Sequence, residues 1–118
     1  AADIAPVPGA PPILLGVMNL HGEVLPVFDP RRLLGLAAEA AGDGGPVIVL
    51  GRTGAEFGLL VDAADQVLRL TTDQLHTAPE SLAPERRELL QGVTQDGVIV
   101  LDGPKLLTDA RLGVAALS

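Results

Sequence analysis

The sequence predicts a mainly β chain with a few short helices, on three observations. Its apolar runs are short and β-compatible: Ile13–Leu20, Glu23–Phe28, Val47–Leu50, Glu56–Val61 and Val98–Leu101. Turn-forming residues separate them, with 14 Gly and 10 Pro in 118 residues. Two junctions read as hairpins, Asn19-Leu20-His21-Gly22 and Asp96-Gly97.

The elements follow in chain order. Residues 1–12 hold four prolines, which donate no backbone hydrogen bond, so the chain opens as an extended lead-in. Ile13–Leu20 and Glu23–Phe28 form the first hairpin. Asp29 accepts the free amides of a helix start and Pro30 suits the first helical position, so a helix is predicted from Pro30 through the alanines to about Ala41. Gly42-Asp43-Gly44-Gly45-Pro46 stops it and marks the internal boundary. Val47–Leu50 and Glu56–Val61 are joined by the turn Gly51-Arg52-Thr53-Gly54. A bend near Asp62 then leads into Ala63–Leu70 as continuing strand. Pro84–Leu90 reads as one or two helical turns closed at Gly92, and Gly92–Gln95 pairs with Val98–Leu101 across Asp96-Gly97. Asp102 caps another short helix, and the tail to Ser118 is helical or frayed.

Composition bounds the function. The length suits one domain, with residues 1–45 and 46–118 as two subdomains and a C-terminal helix returning to the first. The core must be aliphatic, since the apolar fraction is 47% but the aromatic fraction only 2%, Phe28 and Phe57. Such apolar richness excludes disorder as the main state. Seven Arg, one Lys and a net charge of −7 disfavour nucleic-acid binding. No Cys is present, which excludes disulfides, thiolate catalysis and Cys-based metal sites. No apolar run reaches membrane-spanning length and no Lys or Arg precedes Arg31, so neither membrane insertion nor a secretory leader is expected, and a cytoplasmic location is. The mean hydropathy of +0.38 then requires a large core or a covered apolar surface.

Catalytic constellations are weak. His21 and His76 lie one in each half and read as surface loop residues rather than metal ligands. Asp29 and Asp102 are explained as helix caps, and Asp62 and Asp65 fall at a strand bend. Neither Ser81 nor Ser118 sits in a nucleophile elbow, and the glycines at 42–45 lead into no phosphate-binding loop. No enzyme activity and no cofactor are expected.

An internal repeat is visible instead. Gly16-Val17, Gly22, Val24-Leu25, Asp29 and Arg32-Leu33-Leu34 match Gly92-Val93, Gly97, Val98-Ile99, Asp102 and Lys105-Leu106-Leu107. The second copy is preceded by the hairpin region Val47–Leu70 and a Pro-containing connector; the first has only the connector. The first subdomain is therefore expected to lack an opening hairpin, exposing core and a sheet edge around Ile13–Phe28.

With these residues in place, the chain resembles the CheW-like family, the coupling proteins of bacterial chemotaxis and related kinase arrays. The resemblance rests on Val7-Pro8-Gly9-Ala10-Pro11-Pro12, Gly16 through Asp29, Phe57-Gly58-Leu59-Leu60-Val61-Asp62-Ala63, Val67-Leu68-Arg69-Leu70 and Leu90-Gln91-Gly92-Val93, in family order. It implies two packed SH3-like β-barrels, no catalysis, and an adaptor bridging the regulatory domain of a CheA-type histidine kinase to chemoreceptor cytoplasmic tips. The family's hairpin turn usually reads Asn-Leu-Arg-Gly, where this chain has His21. Candidate partner-binding residues are Gly16, Asn19, His21, Gly22, Val24 and Val27. The alternative is a shortened structural module that forms a homodimer or higher oligomer by strand exchange, or completes its barrel with a partner strand.

Overall fold

The structure, a computed structural model, describes residues 3–35 and 45–112. Among these residues six strands form a four-stranded and a two-stranded sheet, accompanied by three short α-helices. β1 (Leu14–Leu20) and β2 (Glu23–Phe28) pair antiparallel. Their connection is His21-Gly22, with φ of +51° and +86°. Positive φ at both central residues is the type I′ hairpin turn, whose twist matches the strands it joins. Asn19 supports it, its Oδ1 accepting from the Gly22 amide at 2.9 Å.

The pairing Leu14↔Phe28 is followed by Gly16↔Val27, leaving Leu15 as an extra residue in β1. This bulge changes the face that β1 presents. Leu14 joins Phe28 in the larger core cluster, whereas Met18 joins Val27 and Leu25 in the smaller one. Both faces of the sheet are thereby lined with apolar side chains.

α1 (Pro30–Leu33) begins as the sequence predicts, with Asp29 Oδ1 accepting from the Arg31 amide at 2.9 Å. It stops far short of Ala41, because Gly35 takes φ +67° just beyond it. A glycine in the left-handed region is the usual helix stop. Residues 36–44, on which the rest of the predicted helix and most of the glycine linker fall, lie outside the described residues.

β3 (Val47–Leu50) and β4 (Phe57–Leu60) form the second hairpin. Arg52 clamps its turn, with Glu56 Oε2 accepting from the Arg52 amide at 2.8 Å and Oε1 accepting from its guanidinium at 2.9 Å. β4 then pairs in parallel with β2, Val27↔Gly58 and Phe28↔Leu59, so the sheet order is β1-β2-β4-β3. This pairing crosses the boundary at residue 46 drawn from the sequence, since a hairpin expected in the second subdomain completes the sheet of the first. It also corrects the expected exposure around Ile13–Phe28. Val27 and Phe28 are fully buried, because β4 covers that edge of β2.

Ala63–Leu70 forms no strand, contrary to its β-like pattern, and Val67 and Leu68 lie 95% and 58% exposed. An apolar run becomes a strand only where a partner edge exists, and among the described residues none lies beside it. The chain next makes an isolated bridge, His76↔Val93. α2 (Pro84–Arg87) leads into β5 (Leu90–Val93), which pairs antiparallel with β6 (Ile99–Leu101). α3 (Gly103–Thr108) is capped by Asp102, whose Oδ1 accepts from the Lys105 amide at 3.1 Å.

The larger cluster unites the sheets. Leu14, Phe28, Phe57 and Leu59 pack with Leu33 and Leu34 of the α1 region, Leu89 and Leu90, and Leu106 of α3. The two phenyl rings meet edge to face, centroids 6.0 Å apart and planes at 81°. Leu112, at the end of a 3-10 turn, is fully buried in the same cluster. Residues 113–118, on which the rest of the expected C-terminal helix falls, lie outside the described residues.

Candidate partner-binding site

The six candidate contact residues all lie on the β1–β2 hairpin, but they divide into two groups. Asn19, His21, Gly22 and Val24 sit together at its tip, Asn19 and Val24 directly opposite one another, and all four are exposed. Val24 is 56% exposed, an apolar side chain held outward on a rigid turn. Gly16 and Val27 are paired at the other end of the hairpin and are buried.

Packing accounts for that buried pair. A Cβ on Gly16 would stand 2.2 Å from the Ala5 carbonyl oxygen, where the lead-in bridges Val17 through two backbone hydrogen bonds of 2.8 and 2.9 Å. Gly16 is thus glycine so that another part of this chain can approach. Val27 fills the smaller cluster with Met18, Leu25 and Leu60. The tip group is therefore the part of the candidate surface accessible from outside.

Away from the tip group, the sequence reading missed an ion pair at the sheet's far end. Arg31, at the start of α1, pairs with Asp62, just past β4. It connects the helix to the end of β4, and no local sequence pattern announces a contact between residues so far apart. Asp29 is 1% exposed; Arg32 Nε lies 3.7 Å from its Oδ2, which has no hydrogen-bond partner among the described residues. Elsewhere, hydrogen bonding by the Arg52 and Arg111 guanidiniums holds the carboxyls of Glu56 and Asp109 below their ordinary values.

Among the described residues no three His, Asp or Glu side chains gather as a metal site. His21 and His76 are each exposed on their own loops. No helix among the described residues is long and apolar enough to cross a membrane.

Fold and surface together define a small β scaffold with an exposed hairpin tip. A family model described as the CheW-like domain matches residues 1–111, and the chain belongs to that family. Family members of this kind are adaptors rather than enzymes. The chain is 36% identical to the chemotaxis protein CheW of Bacillus subtilis over 76 residues, covering 64% of this chain and 49% of that protein. It is 29% identical to the chemotaxis protein CheW of Klebsiella aerogenes over 115 residues, 95% of this chain and 69% of that one. The chain thus spans about half the length of the first of these relatives. The crystal structure of a scaffolding protein CheW from Thermoanaerobacter tengcongensis superposes with a TM-score of 0.69 at 19% identity, covering 96% of this chain and 80% of that one, which shows the shared fold.

Proposed function

We propose that this chain is an adaptor domain of chemotaxis-like signal transduction, coupling a CheA-type histidine kinase to chemoreceptors in the cytoplasm. The observation that carries the reading is the family match across residues 1–111. The structure supports it with a surface suited to the task. The tip of the β1–β2 hairpin holds Asn19, His21, Gly22 and Val24 exposed on a turn fixed by the Asn19–Gly22 hydrogen bond. A preorganised apolar side chain such as Val24, flanked by polar groups, loses little entropy on binding. Kinase and receptor are separate partners in this reading. His21 stands where the family usually carries Arg, so a receptor contact made through a forked guanidinium is replaced by a shorter ring.

The test is a pull-down of a CheA-type kinase regulatory domain and of a receptor tip by the wild-type chain and by Val24→Asp. Binding of the wild type and its loss in the variant, with an unchanged melt, supports the reading. No binding by the wild type overturns it.

A further inference from the structure

The arginines of this acidic chain divide by partner. Arg31, Arg32, Arg52 and Arg111 each face a carboxylate, those of Asp62, Asp29, Glu56 and Asp109. Arg69 is exposed, whereas Arg86 and Arg87 of α2 are half-buried. Arg86 packs against Gly35 beyond α1, on a spot where no Cβ would fit. Arg87 forms no ion pair among the described residues, and its Nε is shielded from solvent without a hydrogen-bond partner there. A guanidinium keeps its charge at any ordinary pH, so it cannot escape the cost of an unmet donor by losing a proton. A charged donor shielded from water and left unpaired is unfavourable until an acceptor reaches it.

Arg87 lines a groove of about 540 Å³. One wall is the connector, Leu75 to Ala78, and the other is α2 with the start of β5. The groove follows the edge of β5 that the connector holds, not the edge paired with β6. Two backbone hydrogen bonds of 2.8 and 2.9 Å between His76 and Val93 fix the connector there, so the groove is preformed. Leu75, Ala78 and Leu90 give it apolar walls beside the one unpaired cation. Apolar walls with a single placed charge are the usual make-up of a binding site.

We infer that this groove seats the carboxylate of an Asp or Glu side chain from a protein partner. The two oxygens match the fork of the Arg87 guanidinium, and the apolar stem of the side chain lies against Leu75 and Ala78. Glu88 also lines the groove. Its carboxylate repels a doubly charged phosphate more than a singly charged carboxylate, which selects the weaker anion. The site shares no residue with the hairpin tip.

The probe is a blocked peptide, acetyl-Ala-Leu-Glu-Leu-Ala-amide, titrated into the full-length protein while the Arg87 Nε–Hε signal is followed by NMR. The expected result is a saturable shift of that signal, with affinity at least about tenfold lower when glutamine replaces the peptide's glutamate. Arg87→Gln, checked for an unchanged melt, removes binding, and Arg69→Gln leaves it intact. If Arg87→Gln fails to fold, the glutamine peptide still decides. No saturable shift, or equal affinity for the two peptides, overturns the proposal. An Arg87 signal that titrates in the free protein over roughly pH 3 to 6 also overturns it, because a carboxylate of the same protein then holds the guanidinium. Tighter binding of inorganic phosphate than of the peptide overturns it in favour of a phosphate site.

Discussion

Gly16 and Gly92 hold the same place in the two halves of the molecule. Each sits opposite a valine just after a bulge, Gly16 facing Val27 and Gly92 facing Val100. Each also lies against a backbone carbonyl, where an added Cβ would stand 2.2 Å from Ala5 O or 2.7 Å from His76 O. The shared geometry explains why both glycines survive in otherwise apolar strands.

Gly16→Ala pushes the lead-in off β1 and breaks the Ala5–Val17 bridge. Overpacking of this kind costs about 1–3 kcal/mol. Gly92→Ala has the same effect on the His76–Val93 bridge with a smaller loss, because its approach is looser. Urea denaturation of both variants should rank them in that order. Gly16 is a candidate contact residue by sequence, but on this account Gly16→Asp is a test of folding rather than of partner binding.

The edge-to-face contact of Phe28 and Phe57 joins β2 to β4 inside the common core. Phe57→Leu keeps most of the apolar volume and removes the ring pairing, with an expected loss of about 0.5–1.5 kcal/mol. Phe57→Ala leaves a cavity and should cost about 3–5 kcal/mol. Thermal melts of the pair separate ring geometry from simple burial.

The two aspartate caps offer a matched comparison. Asp102→Ala removes one hydrogen bond at a half-buried site and should cost about 1 kcal/mol. Asp29→Ala should cost more, because Asp29 is 1% exposed and faces Arg32 as well as the Arg31 amide. Asp29→Asn keeps the capping oxygen and should recover part of the loss in the same denaturation assay.

The Arg111 guanidinium, donating to both carboxylate oxygens at 3.0 and 2.7 Å, holds Asp109 below the usual carboxylate range. A folded-state value below the unfolded one stabilises the charged form. The contribution is complete above the unfolded value, near pH 4, and is lost as pH falls through the lowered folded value. Asp109→Asn should therefore lower the melting temperature at pH 7 and make little difference at the acid end, seen in melts across that range.

Much of this fold is local and so could be read in the sequence. The hairpins at His21-Gly22 and Asp96-Gly97, the caps at Asp29 and Asp102, and the repeat all follow from a few adjacent residues. What could not be read depends on distant partners. The parallel pairing of β2 with β4 has no local signal and moves a whole hairpin into the first sheet. For Ala63–Leu70 the pattern says strand, yet no edge among the described residues receives it. The candidate surface shows the same limit. Turn residues at 19–24 were recognisable as exposed, but the burial of Val27 follows from β4 and that of Gly16 from the lead-in at Ala5.

Isothermal titration of the chain against a CheA-type kinase regulatory domain, repeated with Val24→Asp, tests the adaptor reading most directly. The account predicts wild-type binding on the order of tens of micromolar or tighter, weakened at least tenfold by a variant that melts like the wild type. Heats indistinguishable from dilution for the wild type, or equal affinity for both proteins, would contradict it.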